Sequence, residues 1–178
     1  MILNQALSLA AEIHQDLAGN YPFLNDWTLV LDSAKRRAGA CMTVERRISI
    51  SRWHIQHNDL LTVKDTILHE FAHSIAFNLY GETGHGRVWQ QVAQQIGARP
   101  QATGRFNLPD APWSIVTRCL ISEEIDFVAY RYRKKKGLHK YALKGRPGTQ
   151  GQLFYLCSEQ LSQYRKGNIQ FSALKFIR

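Results

Sequence analysis

Cysteine is scarce in this chain, and the three present, Cys41, Cys119 and Cys157, stand far apart. Three scattered thiols in 178 residues exclude a disulfide framework and fit a reducing, cytoplasmic setting. Prolines number five and glycines twelve, too few for a collagen-like or low-complexity chain. No apolar run approaches the roughly 20 residues a membrane helix needs, so no membrane association is expected. Met1–Ala11 is apolar but lacks a basic flank, and it reads as part of an amphipathic helix rather than a secretion signal. What remains is ordinary globular material, 44% hydrophobic and 21% charged, long enough to bury a core without covalent staples.

Acidic residues are also short on one side of the chain. Residues 1–100 carry nine Lys/Arg and nine Asp/Glu, whereas residues 101–178 carry fourteen against five, which is the whole of the net +9. A neutral first part followed by a basic second part implies a body joined to a polyanion-binding segment, with nucleic acid the expected partner. The cations concentrate in one place. Arg131, Arg133, Lys134, Lys135, Lys136, Lys140, Lys144 and Arg146 fall within sixteen residues, with Tyr130, Tyr132 and Tyr141 among them. Basic side chains supply salt-dependent phosphate contacts, and aromatic rings can stack on unpaired bases.

Periodicity predicts a helix over Leu3–Leu17, a buried strand over Trp27–Leu31, and a hairpin of Ala40–Val44 with Arg47–Ser51. Thr62-x-x-Asp65 resembles a capping box and opens a helix that runs to about Leu79. A second helix is expected over Gly86–Ile96. Residues 101–112, with Gly104, Pro109 and Pro112, read as a linker. Beyond it, strands are expected over Ser114–Ile121, Asp126–Arg133, Lys140–Leu143 and Gln152–Leu156.

The stretch from His69 to Trp89 carries the chemistry: HEFAHSIAFNLYGETGHGRVW. On a helical wheel Val63, Ile67, Leu68, Phe71, Ile75 and Leu79 form one apolar stripe, while His69 and His73 point nearly the other way. Residues i and i+4 are neighbours on a helix surface, so both imidazoles can reach one metal ion. Glu70 sits on the flank between them. Two histidines and a glutamate in this pattern are the zincin arrangement, in which zinc acidifies water and the glutamate takes its proton as general base. A third ligand is required. Position 79, six residues after His73, is leucine, and Gly86–Ile96 contains no glutamate. His85, between Gly84 and Gly86, is the best candidate, with Glu82 the fallback. His54 and His57 precede the helix and read as surface or strand-end residues.

HEFAH followed by GHGRVW resembles the SprT/Spartan metalloprotease family, which shares H-E-x-x-H, a later G-H-G or P-H-G, and an aromatic soon after, here Trp89. AKRRAGAC at Ala34–Cys41 and RRISISRW look like the basic, glycine-containing strand pair before that family's catalytic helix. The resemblance covers roughly residues 1–100. It implies an α+β fold: a zincin-like domain of helices packed on a small sheet. It further implies zinc bound by His69, His73 and His85, with Glu70 as catalytic base. The family's better-known members cleave proteins bound or crosslinked to DNA and need DNA for activity.

Bacterial members usually end in a zinc ribbon with two cysteine pairs. In this chain Tyr130 and Tyr132 stand where the first pair belongs, and at the second only Cys157 remains, with Gln160 at its partner position. Residues 113–178 are therefore expected to form a basic, ribbon-like β-domain without metal, with Phe127, Tyr130, Phe154, Tyr155 and Leu156 packing in place of zinc. Cys119 and His139 could be recruited as ligands there, but their spacing argues against a ribbon. The expected function is a zinc metallopeptidase acting on DNA-associated or crosslinked proteins. The competing reading is a non-catalytic nucleic-acid-binding or regulatory protein on the same scaffold.

Overall fold

The computed structural model describes residues 3–178; Met1 and Ile2, at the head of the expected amphipathic segment, lie outside the described residues. It is an α+β protein with five helices and two small sheets. The chain divides into two compact units, Met1–Pro109 and Asp110–Arg178. No helix is long and apolar enough to cross a membrane.

In the first unit, helix α1 (Leu3–Asn20) buries Ala6, Ala10, Ile13 and Leu17, one face at helical spacing. A three-stranded sheet follows, made of β1 (Thr28–Asp32), β2 (Gly39–Met42) and β3 (Arg47–Ser51). Its order is β1-β3-β2, with β1 parallel and β2 antiparallel to β3. The expected hairpin is therefore present, but Val44 belongs to its exposed turn rather than to a strand. The central strand β3 buries Ile48, Ser49, Ile50 and Ser51 in succession, because both its faces are covered.

Ser51 ends β3 and starts the next element. Its hydroxyl accepts from the backbone N–H groups of Trp53 and His54, capping α2 (Arg52–His57). The long helix α3 (Leu60–Tyr80) opens one turn earlier than expected. Its cap is Asp59, whose carboxylate accepts from the Thr62 N–H at 2.7 Å, and Thr62-x-x-Asp65 is not a capping box. Asp65 instead holds Arg99, accepting from its backbone N–H at 2.8 Å and its Nε at 2.9 Å. The helix stops at Gly81, which adopts φ 70°, a conformation glycine enters without steric cost. Helices α1 and α4 (Arg87–Gln95) and strands β2 and β3 all pack against α3. It is consequently sheathed on several faces, with Glu70, His73 and Ser74 buried alongside Ile67, Phe71 and Ile75. Leu79, the last member of the expected stripe, is about half exposed.

Two readings from the sequence are corrected here. His54 is buried, its Nε2 2.9 Å from the Thr66 hydroxyl and its ring edge-on to Phe106. Residues 101–109 are not a free linker. Asn58 accepts from the Asn107 N–H at 2.7 Å and donates to the Asn107 carbonyl at 3.0 Å, in a reciprocal amide pair. This pair and the His54–Phe106 contact bind the segment to the first unit, which extends to Pro109.

The second unit is built on an antiparallel sheet of β4 (Trp113–Arg118), β5 (Ile125–Arg131) and β6 (Phe154–Cys157), in the order β5-β4-β6. Phe154, Leu156 and Val116 pack under a helix the periodicity missed, α5 (Ser158–Arg165), together with Leu161 and Leu174. Ile115, Tyr155, Leu138 and Leu153 form a second small core. Lys140–Leu143 is not a strand; a short 3₁₀ turn covers Leu138–Lys140. The expected core is right for Phe154, Tyr155 and Leu156 and wrong for Phe127 and Tyr130. A bulge in the β4–β5 register, where Ile115 pairs with Ala129 and Val116 with Phe127, brings both rings to one face, in mutual contact at 4.6 Å and exposed.

The amide pair generates a prediction. Asn58→Ala leaves partly buried backbone groups of Asn107 unpaired and destabilises the first unit by about 1–3 kcal/mol, read from a denaturant midpoint. Limited proteolysis should then cut within residues 101–109 faster than in the parent.

Candidate metal centre

Helix α3 places His69 and His73 one turn apart on the same side, and His85 reaches them from the bend that precedes α4. His85 Nε2 lies 3.0 Å from His73 Nε2 and 3.0 Å from His69 Nε2. These three histidines are the one His/Cys/Asp/Glu cluster of metal-binding geometry among the described residues, their ligand atoms all within 4.8 Å of one another. Glu82, the fallback ligand, is engaged elsewhere. Its carboxylate accepts from the Trp89 N–H at 3.3 Å, at the start of α4, and packs so closely on Gly86 that a Cβ there would meet it at 2.6 Å.

The floor of the cluster is Trp89, which is fully buried. Its indole touches all three imidazoles, with centroid separations of 4.7 Å to His69, 5.2 Å to His73 and 4.5 Å to His85. A metal-binding imidazole is ordinarily oriented by a hydrogen bond to its other nitrogen. His73 Nδ1 is buried with no such partner. Packing on Trp89 is what holds that ring.

Burial keeps the imidazoles neutral. It lowers His73 to about 3, helped by repulsion from His69 and His85, and lowers His69 to about 4, helped by His85 against the pull of Asp65. His85 is lowered by burial too. Neutral imidazole is the form that binds metal. Three neutral nitrogens converging on one point suit zinc, at the usual Zn–N distance of about 2.0–2.1 Å, better than the hard, oxygen-seeking cations. The residues present therefore fit a zinc ion, and three protein ligands leave a coordination position for water or substrate.

Glu70 lies on the next wall. It is buried, and the backbone N–H of Cys41 on strand β2 donates to its carboxylate. Burial pushes the carboxyl up to about 7, against the opposing pull of Arg37 and of that N–H. Gly39, two residues before Cys41, leaves room for the carboxylate, since a Cβ there would sit 2.8 Å from Glu70 Oε1. The Cys41 thiol is pushed up to about 12 by burial and by Glu70, so it is an inert packing group.

Sequence reasoning missed Arg37. Its guanidinium is fixed by Asp32 at 2.6 Å and by the Ser49 hydroxyl at 3.2 Å, and Ser49 donates in turn to Asp32. Burial raises the Asp32 carboxyl, but the Ala34 N–H, Ser49 and Arg37 together hold it below its ordinary 3.8. The signal was the AKRR run, legible as basic but not as directed at Glu70.

The expected nucleic-acid-binding residues all lie in the second unit. Arg133, Lys134, Lys135, Lys136, Lys140, Lys144 and Arg146 are exposed, and Arg131 is half-buried. Lys134 sits 4.2 Å over the Trp113 ring, and Arg131 donates to the Tyr130 carbonyl.

The indole floor is open to test. Trp89→Phe, which keeps an aromatic wall, should weaken zinc binding modestly, whereas Trp89→Leu should weaken it about 10- to 100-fold, as loss of an orienting neighbour does. Chelator competition on folded protein measures both.

Comparison with known proteins gives the family of the first unit. The chain is 28% identical over 130 residues to Germ cell nuclear acidic protein of Drosophila melanogaster, an alignment that spans 67% of this chain but 12% of that protein. No solved structure matches. The SprT-like family profile matches residues 10–110, more than half of the chain and nearly all of the first unit. The chain thus belongs to the SprT-like family, and its first unit is a metallopeptidase-like domain.

Proposed function

We propose that the protein is a zinc-dependent metallopeptidase acting on proteins bound or crosslinked to DNA. The observation that carries the reading is the convergence of His69, His73 and His85 Nε2 atoms beside the buried carboxylate of Glu70. Zinc held by the three imidazoles would polarise a peptide carbonyl and lower the pKa of water toward 7. Glu70 accepts the proton as water attacks the carbonyl and returns it to the departing amine. The Cys41 N–H anchors the carboxylate, and the absence of a side chain at Gly39 lets it lie there. Trp89 excludes water from behind the ligand rings.

Recruitment to DNA belongs to the second unit in this reading. Its exposed cations gather between β5 and β6, where they can follow a phosphate backbone without reading bases. All three cysteines are unpaired, which supports a reducing, cytoplasmic setting.

Purified protein should hold one zinc per chain. Glu70→Gln should retain it while cleavage of a DNA-bound protein falls about 10²- to 10⁴-fold, the usual worth of a general base. Cleavage equal to the parent removes Glu70 from that role. No cleavage by the parent, with DNA binding indifferent to chelator, favours a non-catalytic nucleic-acid-binding protein instead. Replacing Lys134, Lys135 and Lys136 together by alanine should weaken DNA binding and flatten its dependence on salt, as read by titration at several ionic strengths.

A further inference from the structure

A cavity of about 320 Å³ opens beside the metal centre, with His69 and Glu70 in its wall. Four arginines also line it: Arg36, Arg37, Arg99 and Arg105. Asp65 is the one other acidic group of the lining, and its charge is spent on Arg99, which it holds by an ion pair of 2.8 Å. Arg37 is held from behind by Asp32, which is not part of the lining. Arg36 and Arg105 form no ion pair among the described residues. The wall thus presents two guanidinium groups without an acidic partner, those of Arg36 and Arg105, near the buried carboxyl of Glu70.

We infer that this cavity is a specificity site that receives an acidic side chain of the peptide substrate, next to the bond being cut. This assignment rests on the peptidase reading of the adjoining site. Arg37 and Arg99 are already fixed by carboxylates, so little further ordering is needed when a ligand arrives. Guanidinium groups match a carboxylate in paired hydrogen bonds, and a lysine in the same place meets the uncompensated like charges of Arg36 and Arg105. The shape selects a peptide over a nucleic-acid strand. The arginines come from three separate segments around a concave cup, which offers one anionic group a seat. A run of phosphates needs a track, and the second unit, not this cup, carries cations in that pattern.

The test separates binding from cleavage. Zinc-loaded Glu70→Gln protein is titrated by fluorescence anisotropy with neutral peptides that carry a single Glu, Gln or Lys at successive positions. At one position the Glu peptide should bind about tenfold tighter than its Gln partner, with Lys weaker still. Arg36→Gln/Arg105→Gln should abolish that advantage, and added salt should shrink it. Equal affinities at every position, an advantage that survives the double variant, or no peptide binding at all overturns the assignment. So does displacement of the bound peptide by a single-stranded oligonucleotide whose own affinity the double variant destroys. Cleavage of the same peptides by the parent protein reports separately on the peptidase reading. Selective binding without cleavage refutes the enzyme and leaves the acidic seat; cleavage indifferent to Glu does the reverse.

Discussion

Three imidazole nitrogens can converge on one metal ion only if each ring is neutral and turns an unprotonated nitrogen toward it. Desolvation supplies the first of these conditions. Burial of His69, His73 and His85 disfavours the imidazolium forms, and for His69 and His73 repulsion from neighbouring imidazoles adds to the effect. The surrounding fold exists, in physical terms, to sustain this burial. Helix α3 contributes two of the three imidazoles and is walled in by α1, α4 and two strands. Helix α4 adds Trp89, an apolar surface broad enough to contact all three rings at once. With no hydrogen bond on His73 Nδ1, that side of the ring is positioned by shape rather than polarity. A site held this way is sensitive to the volume of one side chain.

The arrangement also explains why helix α3 carries so little amphipathic contrast. A surface helix shows one apolar stripe because one side meets water. Here the side opposite the stripe carries the histidine cluster, so His73 is buried there and Glu70 on the flank beside it. The same holds for β3, whose serines face neighbours rather than solvent. Ser49 bonds Asp32, and Ser51 caps α2 while it donates to the Ala34 carbonyl. These serines are fittings of an interior, each with a partner.

Much of the site was legible in the sequence because its chemistry is local. His69, Glu70 and His73 lie within one helical turn, and His85 stands between glycines shortly after it. What could not be read depends on contacts between distant segments. Arg37 matters through Asp32 and Ser49 on two other strands, and Gly39 through a carboxylate on α3. Residues 101–109 lack periodicity and so read as a linker, yet Asn58 and His54 tie them down from some fifty residues away. In the second unit, strand existence was legible and side-chain direction was not. A single-residue bulge turns Phe127 and Tyr130 onto one exposed face, which no alternation rule anticipates. Helix α5 escaped notice because its polar sequence, SEQLSQYR, buries Leu161 and little else.

The contact between Gly39 and Glu70 reaches beyond the present chain. A backbone that approaches a carboxylate this closely makes the two positions interdependent, and substitutions at both will not combine additively. In any descendant that had discarded the acid at 70, position 39 would be released from its steric veto and could drift to alanine, serine or larger. The residue found at 39 in a related chain is therefore an independent marker of whether its carboxylate is still in use.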